Sequence, residues 1–298
     1  MARGPLTNRR APPYVEPHSG TIDSHHGTKG VLVPLAPAAS PLSRFTVDGR
    51  SIVITGATGA LGSAAARALN ALGARLTLAG GNADKLDTLA ADLEGPGPVE
   101  TVRRRPDTPD DAEAILSAAV KTYGDVHGLL VASGMNHVAP ITEMTVEDFD
   151  AVQSANVRGS WLMCQAVGRH MLGRDGGGSV VLVSSTRGRL GHPAGYSAYC
   201  PSKAAVDLLG RSLAAEWGSA GVRVNVLAPT VFRSELTAWM YEEDEKATAT
   251  REAMLARIPL GRLAEPEDFA GALIYLLSDA SSFVTGQVLY LDGGYTAC

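Results

Sequence analysis

The chain has 298 residues, 45% hydrophobic and 19% charged, with a formal net charge of −5 at pH 7. That balance suits a globular domain with a large core and gives no general pull toward nucleic acid or anionic lipid. No apolar run is long enough to span a bilayer, and Cys164, Cys200 and Cys298 are too few and too scattered for a disulfide framework or a metal site, so a reducing cytoplasm is the expected compartment.

Residues 1–45 read as a poorly ordered extension. The first 44 or so hold seven of the seventeen prolines and show no periodic apolar pattern. Arg9 and Arg10 are followed by a Pro-rich stretch rather than the apolar run of an export signal. The spacing of His18, His25 and His26 fits no metal-ligand signature, and residues 31–37 are apolar enough to pack on the body or on a neighbouring subunit. From residue 46 onward, short apolar runs at 50–55, 76–79, 99–102, 129–132, 180–183, 222–227 and 288–291 alternate with helical stretches. This order predicts one α/β domain over 46–298, a parallel sheet with helices on both faces. Ligands of such sheets bind beyond the carboxyl ends of the strands, where Gly56, Ser133 and Ser185 are expected.

Directly after the first strand comes Gly56-Ala-Thr-Gly-Ala-Leu-Gly62, and residues 63–72 are helical in character. Glycines let a backbone turn tightly and approach a pyrophosphate, and a helix start offers free N–H groups and a positive dipole end. Thr145-Val-Glu-Asp148 has the capping-box pattern with Asp in place of Glu or Gln, and opens a long helix carrying Asn156. Pro266, followed by Glu267 and Asp268, starts the last helix.

Tyr199 and Lys203 stand four apart in Ser197-Ala-Tyr-Cys-Pro-Ser-Lys203, ahead of an apolar helical run. On a helix that spacing puts phenol and ammonium on one face, where the cation favours phenolate. A phenol titrates near 10, so acid–base work near neutrality asks roughly 4 kcal/mol of its surroundings. A neighbouring lysine is a direct way to supply it.

Asn156-Val-Arg-Gly159, Val180-Val-Leu-Val-Ser-Ser185, Asn225-Val-Leu-Ala-Pro229 and Leu291-Asp-Gly-Gly294 complete an ordered set. With the glycine turn, Tyr199 and Lys203, they make the chain from about Val47 to Cys298 resemble the compact, single-domain short-chain dehydrogenase/reductase family. The resemblance implies a Rossmann-type doubly wound sheet, NAD or NADP as cofactor, and hydride transfer between a nicotinamide and a secondary alcohol or ketone. It also implies that Gly56, Thr58, Gly59, Leu61, Gly62, Gly80, Gly81, Ala132, Ser133, Gly134, Pro229 and Val231 hold the cofactor together with Tyr199 and Lys203. Tyr199 is then the acid–base group, with Lys203 lowering its pKa and holding the nicotinamide ribose. Ser185 steadies the substrate oxygen, and Asn156 acts through a water linked to Lys203. Family members place this serine thirteen residues before the tyrosine, which here is Thr186. The pattern of strand, two serines and Gly188 instead aligns Ser185, with one extra residue absorbed at 192–196.

Several positions depart from the family pattern. Ala60 stands where the middle glycine of the turn is usual, Val131-Ala-Ser-Gly134 replaces an Asn-containing motif, and Arg103, Arg104 and Arg105 stand where an acidic residue is expected near adenine. An Asp at position 80 would mark NAD and an Arg at 81 would mark NADP, but both are glycine. The two cofactors are therefore not distinguished. Residues 228–233 and 292–298 are similar to gluconate 5-dehydrogenase-like members acting on sugar acids and polyols. His137, Arg187, Phe232 and Trp239 are the candidate substrate contacts, with Arg187 suited to a carboxylate, and the segment 232–250 is the expected lid. A 3-oxoacyl thioester or steroid-type carbonyl reductase is an alternative, as is a non-catalytic binding protein on the same scaffold. The resemblance further implies a homotetramer built on the helices at 145–171 and 198–218.

Overall fold

Short runs rich in Val, Leu and Ile, each bounded by Gly or polar residues, form seven strands, and the stretches between them form helices. The computed structural model describes residues 40–298. Residues 1–39, with His18, His25, His26 and the apolar segment 31–37, lie outside the described residues. The chain order is β1 Ser51–Thr55, α1 Ala60–Ala71, β2 Arg75–Ala79, α2 Ala83–Ala91, β3 Val99–Val102, α3 Pro109–Tyr123, β4 Gly128–Val131, α4 Val146–Gln153, α5 Gly159–Leu172, β5 Gly178–Val183, α6 Tyr199–Trp217, β6 Val222–Pro229, α7 Glu245–Leu255, α8 Asp268–Leu277 and β7 Val288–Leu291.

All neighbouring strands run parallel, in the order β3-β2-β1-β4-β5-β6-β7. The order reverses between β1 and β4, which opens a crevice at their carboxyl ends. Alternation along the strands divides the core in two. Val53, Leu129, Val180, Leu182, Val224 and Val226 face Ile115, Met163, Val167 and Leu213 of α3, α5 and α6. Ile52, Ile54, Leu76, Leu130, Val181 and Leu227 face Leu61, Leu69, Leu273 and Leu276 of α1 and α8. Helices therefore cover both faces, as a sheet apolar on both sides requires.

Two elements differ from expectation. The helical stretch from Thr145 onward is continuous but contains one wide π-turn, Ser154–Arg158, and Asn156 sits inside it. The residues just before the domain are structured too: Pro41–Phe45 forms a 3-10 turn, Arg44 donates to Ser282 Oγ at 2.7 Å and to the Asp279 carbonyl at 3.0 Å, and the Phe45 ring lies 6.2 Å from Tyr275. At the amino-terminal rim of the sheet, Asp125 gathers His170 and Arg174, each at 2.7 Å, just ahead of β4.

The helix that carries Tyr199 and Lys203 is held close to the sheet by Gly210. A Cβ at that position would lie 2.5 Å from Val226 Cγ2, so the α6 backbone rests directly on the Val226 side chain of β6. Gly210→Val is expected to cost about 1–3 kcal/mol through overpacking. A denaturant midpoint that does not fall would remove this account of how α6 is seated.

Candidate active site

The crevice at the switch point is lined by backbone. Gly56 follows β1 at φ 68°, and a Cβ there would lie 2.5 Å from the Ser133 backbone nitrogen, so the chain leaving β1 and the chain leaving β4 pass in contact. Thr55 Oγ1 and Ser133 Oγ, 3.2 Å apart, link the same two strand ends. A side chain on Gly62 would collide with the Gly56 carbonyl. Gly59 precedes α1, which starts at Ala60 with no side-chain cap and no acidic residue in its first turn. Its positive end is thus free for an anion, and the turn fits a dinucleotide pyrophosphate. Ala60 is the first residue of the helix. Leu61 is buried against the turn, Ala132 donates its N–H to the Thr55 carbonyl, and Gly80 lies beside Thr58 Oγ1.

Next to this cradle, the ends of β4 and β5 meet the first turn of α6. Lys203 is buried, and its ammonium donates to the Val183 carbonyl at 3.0 Å while standing 5.6 Å from the centre of the Tyr199 ring. Ser184 Oγ donates to the Lys203 carbonyl at 3.0 Å. Asn156 accepts from the Met135 N–H at 2.8 Å, returns a bond to the Met135 carbonyl at 2.9 Å and donates to Ser202 Oγ at 2.9 Å. Gly134 makes this packing possible, because a Cβ there would come 3.0 Å from Asn156 Oδ1 and 3.3 Å from Lys203 Nζ. Asn156, Ser185, and the pair Tyr199 and Lys203 on α6 are therefore brought together from three separate segments. The Ser185 hydroxyl accepts from the Arg187 N–H at 3.1 Å and lies near enough to Tyr199 to draw the phenol's pKa downward. Thr186 is buried in the turn that follows.

The charges behave differently from the sequence expectation. Burial pushes the Tyr199 phenol up to about 12, with the Ser185 hydroxyl pulling the other way. Burial likewise drives the Lys203 ammonium down to about 8, opposed by the carboxylate of Asp207. The Lys203 ammonium is turned to a strand carbonyl, and desolvation dominates the phenol in so dense a site. At neutral pH Tyr199 is a protonated acid.

Arg187 lies close enough to draw the phenol downward, but its guanidinium is engaged, donating to the Gly191 carbonyl at 3.0 Å and to Tyr295 Oη at 3.1 Å. Tyr295 is buried beneath Arg257, which stacks 4.1 Å from its ring centre. His137 is instead drawn to Asp148 at 3.6 Å, and Trp239 is exposed; among the described residues neither has a hydrogen bond or ring contact with Tyr199. Phe232, Pro229 and Leu61 line a cavity of about 510 Å³ with Phe269, Tyr290 and Leu291. Val231 belongs to the cluster of Met240, Ile258 and Tyr295 that seats the lid segment. No cluster of three metal-ligating side chains and no helix long and apolar enough to cross a membrane occurs among the described residues.

Sequence reasoning did not single out Ser202, Ser184 or Asp207. Ser202 lies inside the tyrosine–lysine motif, and Asp207 follows Lys203 at helical spacing, so a search for polar residues on the inner face of α6 finds both.

Residues 56–296 match the family described as enoyl-(acyl carrier protein) reductase. An uncharacterised oxidoreductase of Mycobacterium tuberculosis is 66% identical over 259 residues, 86% of this chain and 95% of that protein. D-threitol dehydrogenase of Mycolicibacterium smegmatis is 36% identical over 256 residues, 85% of this chain and 95% of the relative. The crystal structure of a gluconate 5-dehydrogenase from Burkholderia cenocepacia in complex with NADP and tartrate is 30% identical, covers 86% of this chain and 99% of its own, and superposes with a TM-score of 0.78. The chain belongs to the short-chain dehydrogenase/reductase family. It is an NAD(P)-dependent oxidoreductase acting between CH–OH and C=O groups.

Asn156 braces the loop after β4. Asn156→Ala leaves the Met135 N–H and carbonyl and Ser202 Oγ without this partner, and is expected to lower stability by about 1–3 kcal/mol while loosening residues 133–136. Hydrogen exchange of the Met135 amide checks it: unchanged protection would remove the bracing role.

Proposed function

We propose that Tyr199 is the proton donor and acceptor of this oxidoreductase, that Ser185 orients the substrate oxygen, and that the substrate is a hydroxylated acid or polyol. The observation that carries the reading is the convergence of the Ser185 hydroxyl, near enough to Tyr199 to draw the phenol downward, with the buried Lys203 5.6 Å from the Tyr199 ring centre. In the reductive direction the neutral phenol gives its proton to the carbonyl oxygen as that oxygen gains charge, and the Ser185 hydroxyl donates a hydrogen bond to it. In the oxidative direction the base is the Tyr199 phenolate, so the phenol must first lose its proton before it takes one from the substrate hydroxyl as the hydride leaves. When bound, the nicotinamide supplies or takes up the hydride. Lys203 and Asn156 keep the floor of the site polar and fixed, and Gly56, Thr58, Gly59 and Gly62 offer the pyrophosphate its cradle. The substrate class is supported by the likeness to the threitol and gluconate enzymes. Arg187, held beside Tyr199 by Tyr295, supplies positive charge at the mouth. We further propose a homotetramer, since Phe149, Trp161 and Leu208 on α4 to α6 and Phe283 ahead of β7 are large, apolar and exposed, and a cytoplasmic setting, which suits the free thiols of Cys164, Cys200 and Cys298.

Tyr199→Phe is expected to abolish turnover and leave cofactor affinity within about twofold, and Ser185→Ala to lower kcat by about 100-fold, with Thr186→Ala far milder. The assay is a panel of sugar acids, polyols, steroids and acyl thioesters with NAD and NADP. Near-parental turnover in Tyr199→Phe would sink the acid–base role; a larger loss in Thr186→Ala than in Ser185→Ala would move the oxygen contact by one residue. Strong preference for an apolar carbonyl would end the polyol reading, and a chain that binds neither dinucleotide would be a non-catalytic member of the family.

Light scattering at micromolar concentration is expected to give the mass of four chains. A monomer there would overturn the assembly.

A further inference from the structure

The segment after β2 carries neither of the side chains by which nicotinamide dinucleotides are commonly told apart: Gly80 and Gly81 follow Ala79 directly. Their bareness has a structural counterpart. The space above Gly81 is taken by Arg105, which comes from the segment after β3. A Cβ on Gly81 would lie 2.9 Å from Arg105 Cδ and 3.1 Å from its Cγ, so the aliphatic stem of the arginine rests on the glycine α-carbon. Only glycine at position 81 leaves room for it without a shift. A Cβ on the neighbouring Gly80 would stand 3.6 Å from Thr58 Oγ1 in the phosphate turn. Arg105 thus borders the lip of the same crevice at the carboxyl ends of β2 and β3.

Three arginines stand in a row here, and they are not equivalent. Arg103 is paired with Asp87 at 2.7 Å and Arg104 with Asp111 at 2.6 Å. Among the described residues Arg105 has only a distant carboxylate, Asp107 at 3.9 Å from its Nε, and its side chain is 57% exposed. Its stem lies on Gly81 and its guanidinium is half-exposed, in a chain that offers no carboxylate at position 80 or 81. A ribose diol is held well by a carboxylate and repels nothing, whereas a ribose 2′-phosphate needs a cation and is repelled by a carboxylate. The donor set present is the one that suits the phosphate, for which a planar guanidinium offers paired, charge-assisted hydrogen bonds.

We propose that Arg105, reaching over Gly81, recognises the 2′-phosphate of the cofactor, so that this chain selects NADP(H) over NAD(H). The arginine that reads the phosphate is supplied by the third strand's loop instead of the second's, and Gly81 is the gap that lets it through. This rests on the reading of the crevice as a dinucleotide site.

Calorimetric titration of the full chain with NADP⁺, NAD⁺, 2′,5′-ADP and 5′-AMP tests it without any substrate. NADP⁺ is expected to bind about tenfold or more tighter than NAD⁺, and 2′,5′-ADP to outbind 5′-AMP by a similar factor. Arg105→Met is expected to weaken NADP⁺ and 2′,5′-ADP by about tenfold and to leave NAD⁺ and 5′-AMP within about twofold. Gly81→Ala keeps the guanidinium in the chain but pushes its stem aside, and is expected to lower the NADP⁺ preference in the same direction. Equal or tighter binding of NAD⁺ by the parent chain overturns the inference and leaves the dehydrogenase reading standing. A parallel loss of all four ligands in Arg105→Met overturns it as well, because the arginine then serves the adenine that they share. If no ligand binds the parent chain, the dinucleotide reading of the crevice falls and this inference with it.

Discussion

The burial of one ammonium group organises this site. An isolated cation taken out of water is costly, and it survives in a protein interior only where neighbours compensate it. Lys203 is compensated by the Val183 carbonyl at the end of β5 and by the Asp207 carboxylate one turn further along α6. The Val183 carbonyl is within reach only if the helix lies against the sheet end, and α6 meets β6 there through a bare glycine. The lysine also excludes bulk around it: Gly134 cannot carry a side chain without crowding Asn156 and Lys203 at once. A proton-handling group and its cation are thus held by packing, and the packing in turn is specified by where small residues stand.

Much of this was legible in the chain because the signals are local. Each strand is a short apolar run with turn residues on both sides, and all seven appear within a few residues of their expected limits. Tyr199 and Lys203 are four residues apart on one helix, so their proximity needs no knowledge of the fold. What stayed hidden depends on contacts between distant segments. The π-turn under Asn156 has no signature of its own, and its partners Met135 and Ser202 are 21 and 46 residues away. The direction of Arg105 across Gly81 and the engagement of Arg187 with Tyr295, 108 residues later, are likewise products of tertiary packing. Helical spacing also reveals a neighbouring charge but not how dry the pair is, and burial raises the phenol here.

The C-terminal segment closes the site from another side. Asp292 accepts from the N–H groups of Gly294 and Thr296 and from the Thr296 hydroxyl, with Gly293 and Gly294 at φ 59° and 92°. This tight turn drives Tyr295 into the cluster beneath the lid, where its hydroxyl meets Arg187. The loop that carries Ser185 is therefore steadied by residues at the far end of the chain, and the mouth of the site is a composite of β5, the lid and the segment after β7.

The uniform direction of the strands separates two kinds of demand. Every strand delivers its last residue to the same rim, where the glycine turn, Ser133, Ser185 and the first turn of α6 converge. The opposite rim holds Asp125 with His170 and Arg174, and Arg223 donating to the carbonyls of Leu276 and Ser278. One rim works as an exchangeable faceplate and the other as a fixed chassis, with the apolar sheet insulating them from each other. Loops on the reactive side can therefore drift toward a new substrate while the fastening underneath stays as it is.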